Sequence, residues 1–109
     1  MTRNALGEFE HHVLLAVVRL GGRSRGAAVV LDLEAATGRS VSAAAVFVAL
    51  RRLEQRGYAR STKREARPGE GGRGSREFQI TSAGKTKLAE SRRTFERLWG
   101  SPRPLTESS

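Results

Sequence analysis

The side chains best placed to make directed contacts lie between Ser42 and Gly57, in the run Ser-Ala-Ala-Ala-Val-Phe-Val-Ala-Leu-Arg-Arg-Leu-Glu-Gln-Arg-Gly. The guanidinium groups of Arg51 and Arg52 and the amide of Gln55 can hydrogen-bond polar base edges. Ala44, Ala45 and Val48 can touch thymine methyls but cannot hydrogen-bond through their side chains. At 3.6 residues per turn, Ala44, Val48, Arg51 and Gln55 share one face of a helix, with Ala45 and Arg52 beside them. Ala43, Val46, Leu50 and Leu53 share the opposite face, and that face needs a core. Ser42 can start the helix by accepting a bond from a free backbone N–H, and Gly57 can stop it by turning left-handed. A helix slim in its first half and cationic in its second can enter a DNA major groove. Taken alone, the same pattern also describes an ordinary solvated helix.

Other chemistries find little support. There is no cysteine, hence no disulfide, thiol nucleophile or cysteine metal site. His11 and His12 are adjacent and diverge on a helix, so they do not form the i, i+4 pair that chelates a metal. The glycine-rich segment from Gly69 to Gly74 lacks the Gly-Lys-Ser/Thr ending of a phosphate-binding loop and precedes a strand rather than a helix. With the histidines adjacent near the N-terminus, no serine triad is suggested. The expectation is a non-enzyme with no catalytic residues, no metal ligands and no cofactor.

The elements that must position the 42–57 helix follow from the rest of the chain. A length of 109 residues allows one domain with a modest core. The net charge of +9 favours a polyanionic partner. Without a signal-peptide pattern or a bilayer-length apolar run, the chain reads as cytoplasmic, with no membrane contact. Residues 1–5 read as frayed. From Leu6 to Leu20 the residues Leu6, Phe9, Val13, Ala16, Val17 and Leu20 share one helical face. Leu14 and Val18 form a second apolar strip, which in a small domain suggests a partner chain. Gly21-Gly22 ends this helix. Ser24 can cap the next, which runs to about Thr37 with Gly26, Val29, Leu33 and Ala36 inward and Leu31 outward. Gly38 closes it, and Arg39-Ser40-Val41 turns into the central helix, giving a helix-turn-helix pattern.

After Gly57 the pattern becomes that of a hairpin. Residues 58–62 have strand composition, and Phe78 and Ile80 alternate onto one side of residues 75–81. Between them, residues 63–74 carry four glycines and a proline within seven positions, which predicts a flexible loop able to approach a phosphate backbone. From Arg51 to Arg76 there are nine basic and three acidic residues, so most of the net charge sits on the helix and hairpin together. That concentration is the electrostatic footprint of a nucleic-acid contact. Lys63, Arg64, Arg73 and Arg76 are its candidate hairpin residues. The last helix, about 82–99, has a narrow stripe of Leu88, Phe95 and Trp99 with Leu98 and Ala89 flanking, as in a coiled-coil contact. Together with Leu14 and Val18, this stripe predicts a dimer. The tail 100–109 reads as disordered.

The order helix, helix-turn-helix, basic hairpin, long helix resembles the PadR family of winged-helix regulators from Leu6 to Trp99. The residues that carry the resemblance are Leu6-Gly7-Glu8-Phe9-Glu10, Val13-Leu14-Leu15-Ala16, Gly26, Thr37-Gly38-Arg39-Ser40-Val41-Ser42, Ala45-Val46-Phe47, the run Leu50 to Tyr58, and Thr81-Ser82-Ala83-Gly84. A single C-terminal helix is similar to the compact branch of that family. The resemblance implies an α+β, mostly α, winged helix-turn-helix with a two-stranded wing. Residues 1–81 would be the DNA-binding domain and residues 82–99 the dimerisation helix. It implies a homodimer on a roughly palindromic double-stranded operator, usually a repressor, often released by a small molecule or stress signal. The third helix would lie in the major groove and the wing against the adjacent minor groove or backbone. Where the family usually has a tyrosine, this chain has Phe47, which cannot offer a hydroxyl to phosphate. Near Arg25 the family commonly has an aromatic; Arg25 keeps a phosphate contact without the ring. The implied DNA-contacting set is Ser24, Arg25, Ser42, Ala44, Phe47, Val48, Arg51, Arg52, Lys63, Arg64, Arg73 and Arg76. The implied dimer set is Leu14, Val18, Leu88, Phe95, Leu98 and Trp99.

Two other function classes use the same features. A non-specific architectural DNA- or RNA-binding protein would need the charge but no sequence preference. A protein-interaction module would leave the basic hairpin without a purpose.

Overall fold

Glycines and short polar caps, rather than long apolar runs, set where the elements begin and end. The computed structural model describes residues 5–64 and 75–100. They form α1 (Glu8–Arg19), β1 (Arg23–Arg25), α2 (Gly26–Thr37), α3 (Ala43–Gln55), β2 (Ala59–Arg64), β3 (Ser75–Ile80) and α4 (Ser82–Gly100). This is the α+β, mostly helical, winged-helix arrangement.

Helix α1 begins at Glu8, slightly later than the apolar period predicts. The Glu10 carboxylate reaches back to accept from the Gly7 N–H at 3.0 Å, which marks the start. Gly21 and Gly22 then take φ values of +97° and +90°, a region closed to most side chains, and turn the chain away. Ser24 does not cap α2. It lies in β1, buried, with its Oγ donating to the Arg25 carbonyl at 2.8 Å, and Arg25 stands at the cap position. Three residues are too few to show an alternating pattern, so β1 gives no signal in the sequence. Helix α3 starts as predicted: Ser42 Oγ accepts from the Ala45 N–H at 3.1 Å. It ends before Gly57, whose φ is +82°.

The sheet is antiparallel, in the order β1-β3-β2, so the predicted two-stranded wing gains a third strand at its base. Residues paired across the sheet share a face. Ser24, Phe78 and Ser61 form one such row, and Ala59 pairs with Ile80. Strand β2 continues to Arg64, so Lys63 and Arg64 stand on a strand rather than in a loop. The rest of the expected loop, with Arg73, lies outside the described residues, as does the expected tail beyond Gly100. Gly100 itself ends α4.

The core is built from Val13, Leu14, Ala16 and Val17 of α1, Val29 and Leu33 of α2, four residues of α3, and Ala59, Phe78 and Ile80 of the sheet. Leu14, expected on a partner-facing strip, is fully buried inside its own protomer. The reason is that α1 is covered by α2, α3, α4 and β3 together, so its inward face is wider than one stripe. Phe9 and Leu20, expected in the core, reach only its exposed rim. On α3 the inward face is Val46, Ala49, Leu50 and Leu53; Ala43 lies too near the helix start to be covered and is exposed. On α2, Gly26, Val29 and Leu33 are buried, whereas Ala36 is exposed and Leu31 points outward as the periodicity predicts. Among the described residues no helix is long and apolar enough to cross a membrane.

Helix α4 is anchored at its base. Thr81 Oγ1 donates to the Gly57 carbonyl at 2.7 Å and accepts from the Gly84 N–H at 3.0 Å. Gly84 lies directly against the Tyr58 carbonyl, where no Cβ would fit. Leu88 packs against the core. From Arg92 onward every residue of α4 is exposed.

Candidate nucleic-acid interface

With Val46, Ala49, Leu50 and Leu53 buried, the other side of α3 must face outward. Ala44, Ala45, Phe47, Val48, Arg51, Arg52 and Gln55 are all exposed there. The last five line a shallow depression of about 320 Å³. Among the described residues Arg51 and Arg52 make no ion pair or hydrogen bond through their side chains, so their donors face solvent. Ser42 lies at the helix start with its Oγ already used in the cap.

Phe47 does two things at once. Its ring rests on Gly26, so closely that a Cβ at that glycine would come within 2.7 Å of two ring carbons. The ring thereby packs the first half of α3 against the start of α2, and its remaining surface is exposed beside Val48. Arg25, partly exposed, sits at the start of α2 and is in register with Glu77 across the sheet.

The hairpin presents its cations at two levels of restraint. Lys63 and Arg76 are paired in register on the same face as Phe78, but beyond the core, and both are exposed. Arg76 Nη1 donates to Ser61 Oγ at 2.9 Å. Arg64 lies 3.7 Å from one Glu77 oxygen and Arg23 lies 3.9 Å from the other, so Glu77 partly neutralises both. Exposed pairs of this length are weak and can be exchanged for a phosphate. The structure therefore brings Lys63, Arg64 and Arg76 onto one hairpin. Arg60, exposed on β2 and without a side-chain ion pair among the described residues, joins them; the sequence counts its charge but its strand position does not single it out.

Side chains that the sequence does not single out tie these parts together. Arg56, at the end of α3, reaches Glu10 of α1 at 3.0 Å and the Ala5 carbonyl at 3.2 Å, so Ala5, the last residue of the segment expected to fray, has a partner; residues 1–4 lie outside the described residues. Glu54 reaches β2, where its Oε2 accepts from Ser61 Oγ at 2.7 Å and from the Ser61 N–H at 3.2 Å. Only the folded chain shows these links, because their partners are distant or on another element.

The residues expected at a dimer contact are not all placed alike. Leu14 is in the core and Leu88 packs against it. Val18 and Leu15 are exposed on α1. Phe95 meets its own His11 edge to face, with ring centroids 5.1 Å apart. Leu98 and Trp99 are 67% and 85% exposed. His11 Nδ1 lies 2.6 Å from Ser91 Oγ. Burial, and secondly the neighbouring His12, hold the His11 imidazole below its ordinary pKa. Among the described residues no group of three or more His, Cys, Asp or Glu is placed to hold a metal ion.

The family model of the "Transcriptional regulator PadR-like family" matches residues 14–90. Among solved structures, the chain is similar to a PadR family transcriptional regulator from Eggerthella lenta DSM 2243, with 24% identity and a TM-score of 0.71 over 94% of this chain and 88% of that one. It is similar to a PadR-like transcriptional regulator from Bacillus cereus strain ATCC 14579, with 16% identity and a TM-score of 0.72 over 93% of each chain. It is also similar to a winged-helix DNA-binding protein from STIV, with 14% identity and a TM-score of 0.68 over 94% of this chain and 98% of that one. A sequence comparison with curated proteins gives no match.

Proposed function

The chain belongs to the transcriptional regulator PadR-like family, and from that premise we propose that it is a cytoplasmic, homodimeric repressor of a roughly palindromic DNA operator. Residues 1–81 bind DNA and residues 82–99 pair the protomers. Helix α3 enters the major groove while Lys63, Arg64 and Arg76 meet the flanking backbone. The observation that carries this reading is the outer face of α3. Arg51 and Arg52 are exposed with unused donors among the described residues, next to small residues that let the helix sink into a groove. A dimer would present two such helices about 34 Å apart, one turn of B-DNA.

The test is selection of bound fragments from random DNA at two salt concentrations. A symmetric motif with two half-sites supports the repressor. Enrichment that is lost with salt and yields no motif would instead support an architectural protein, which the +9 charge alone could sustain.

A further inference from the structure

We infer that Ser61 is the positioning residue that sets the stance of the hairpin against α3, so that the wing's cations meet DNA in register with the side chains of the recognition helix. This rests on the DNA-binding reading above and adds to it a residue that touches no DNA itself.

The hairpin is attached to the helical body at its base. There Thr81 Oγ1 bonds the Gly57 carbonyl at 2.7 Å and the Thr81 N–H bonds the Tyr58 carbonyl at 3.1 Å. Strand β3 is also held by β1 as far as Glu77 and by Phe78 and Ile80 in the core, whereas β2, beyond the buried Ala59, is the open edge of the sheet. A second point of attachment along this edge strand fixes its angle to α3. Ser61 supplies that point. The Glu54 carboxylate leaves the last turn of α3 and takes both the N–H and the hydroxyl proton of Ser61 on one oxygen, at 3.2 and 2.7 Å. Having given its only proton, the Ser61 oxygen can act toward Arg76 only as an acceptor, and Arg76 Nη1 donates to it at 2.9 Å. The chain of bonds thus has a single polarity, from Arg76 through Ser61 to Glu54. Both ends are charged, which strengthens each bond and favours this geometry over alternatives in water.

The position along the strand matters as much as the bonds. Ser61 pairs with the buried Phe78, and the next pair on that face is the exposed Lys63 and Arg76. Ser61 therefore stands at the boundary between the part of the hairpin held by the core and the part that carries charge. At about 3.3 Å per residue, Lys63 lies roughly 7 Å beyond it, so an error in angle at Ser61 is carried outward to the cations. Arg76 is both the end of the relay and a wing cation, so the same bond that fixes the hairpin aims a guanidinium.

The experiment is hydroxyl-radical footprinting at saturating protein on the operator selected by the parent, with affinities measured beside it. Ser61→Ala should keep the central protection made by α3, lose defined protection on the flanking backbone, and bind roughly tenfold more weakly, the scale of one charge-assisted hydrogen bond. Ser61→Thr, which restores a hydroxyl, should recover the flanking protection and return affinity to within about twofold. Glu54→Gln keeps an acceptor without its charge and should fall between the two. A merely stabilising role would lower the melting temperature but leave the saturated footprint unchanged. That result, or a Ser61→Ala footprint and affinity equal to the parent's, overturns the positioning role while the DNA-binding reading stands. A parent that selects no operator overturns the DNA-binding reading, and the positioning role falls with it.

Discussion

Arg51 is the residue whose exposure and chemistry point most directly at a base. It stands on the outer face of α3 between Val48 and Gln55, with no side-chain partner among the described residues. Arg51→Ala should cost about 1–3 kcal/mol per half-site and relax preference at one position of each half-site, as loss of a bidentate guanine contact does. Operator selection with the variant checks this, and an unchanged motif would remove Arg51 from the readers. Lys63 should behave differently, because a phosphate contact carries no sequence information. Lys63→Ala should weaken all sequences alike and lower the slope of log affinity against log salt by about one per half-site. A steeper or unchanged slope would place Lys63 off the DNA. Both residues are legible in the sequence, since exposure on an amphipathic helix follows from its period and charge on a hairpin follows from composition. Gly84 is legible only as part of a resemblance; its physical reason is spatial. A Cβ there would overlap the Tyr58 carbonyl oxygen and come within 2.9 Å of Ile80 Cγ1. Gly84→Ala should therefore destabilise the fold by about 1–3 kcal/mol or more, as other overpacked sites do, read as a lower denaturant midpoint.

At the scale of elements, the four helices and the hairpin follow from period and punctuation, whereas the contacts between elements do not. Strand β1 escapes because three extended residues beside a helix start look like a cap, and Ser24 is a good capping type placed where a strand is needed. Leu14 escapes because a second apolar strip can be covered by a partner or by the chain itself, and periodicity cannot tell which. The junction of α1 and α4 gives a measurable consequence of such a contact. His11 is buried against Ser91 and Phe95, and burial followed by His12 lowers its pKa below the ordinary 6.5. The unfolded chain therefore takes up a proton near pH 6.5 while the folded one still excludes it. Stability contributed by the neutral imidazole is present above that pH. It is lost as pH falls from there through the lower folded value, below which it changes no further. Thermal melts from about pH 8 to pH 5 should fall more for the parent than for His11→Gln, which cannot take up that proton. Parallel curves for the two proteins would show that His11 does not contribute to the acid sensitivity.

At the scale of the whole molecule, the question is what covers the far end of α4. The helix has 19 residues, about 28 Å at 1.5 Å per residue, and everything from Arg92 onward is exposed. The described chain is correspondingly long, 61 Å against 30 and 21 Å across. Leu98 and Trp99 lie on this projecting part, and Leu15 and Val18 are exposed on α1. Exposed large apolar groups on α1 and on the projecting end of α4 favour a partner surface, and in the proposed dimer that partner is a second copy. By spacing alone Phe95 has the same role as Trp99, but Phe95 already leans on its own His11. Phe95→Ala would thus loosen the protomer as well as the pair, and Trp99→Ala is the cleaner probe. Burying a tryptophan at each of two symmetric positions is worth enough, at about 3–5 kcal/mol per truncation, that its loss should leave mainly monomer at micromolar concentration. Operator binding should then fall further than Trp99 itself explains, because the second half-site loses the effective concentration that linkage to the first provides. Sedimentation of parent and Trp99→Ala, with operator titrations on the same samples, reads both effects. A parent that sediments as a monomer would rule out the paired half-site, and a dimeric variant with unchanged affinity would leave Trp99 outside the contact.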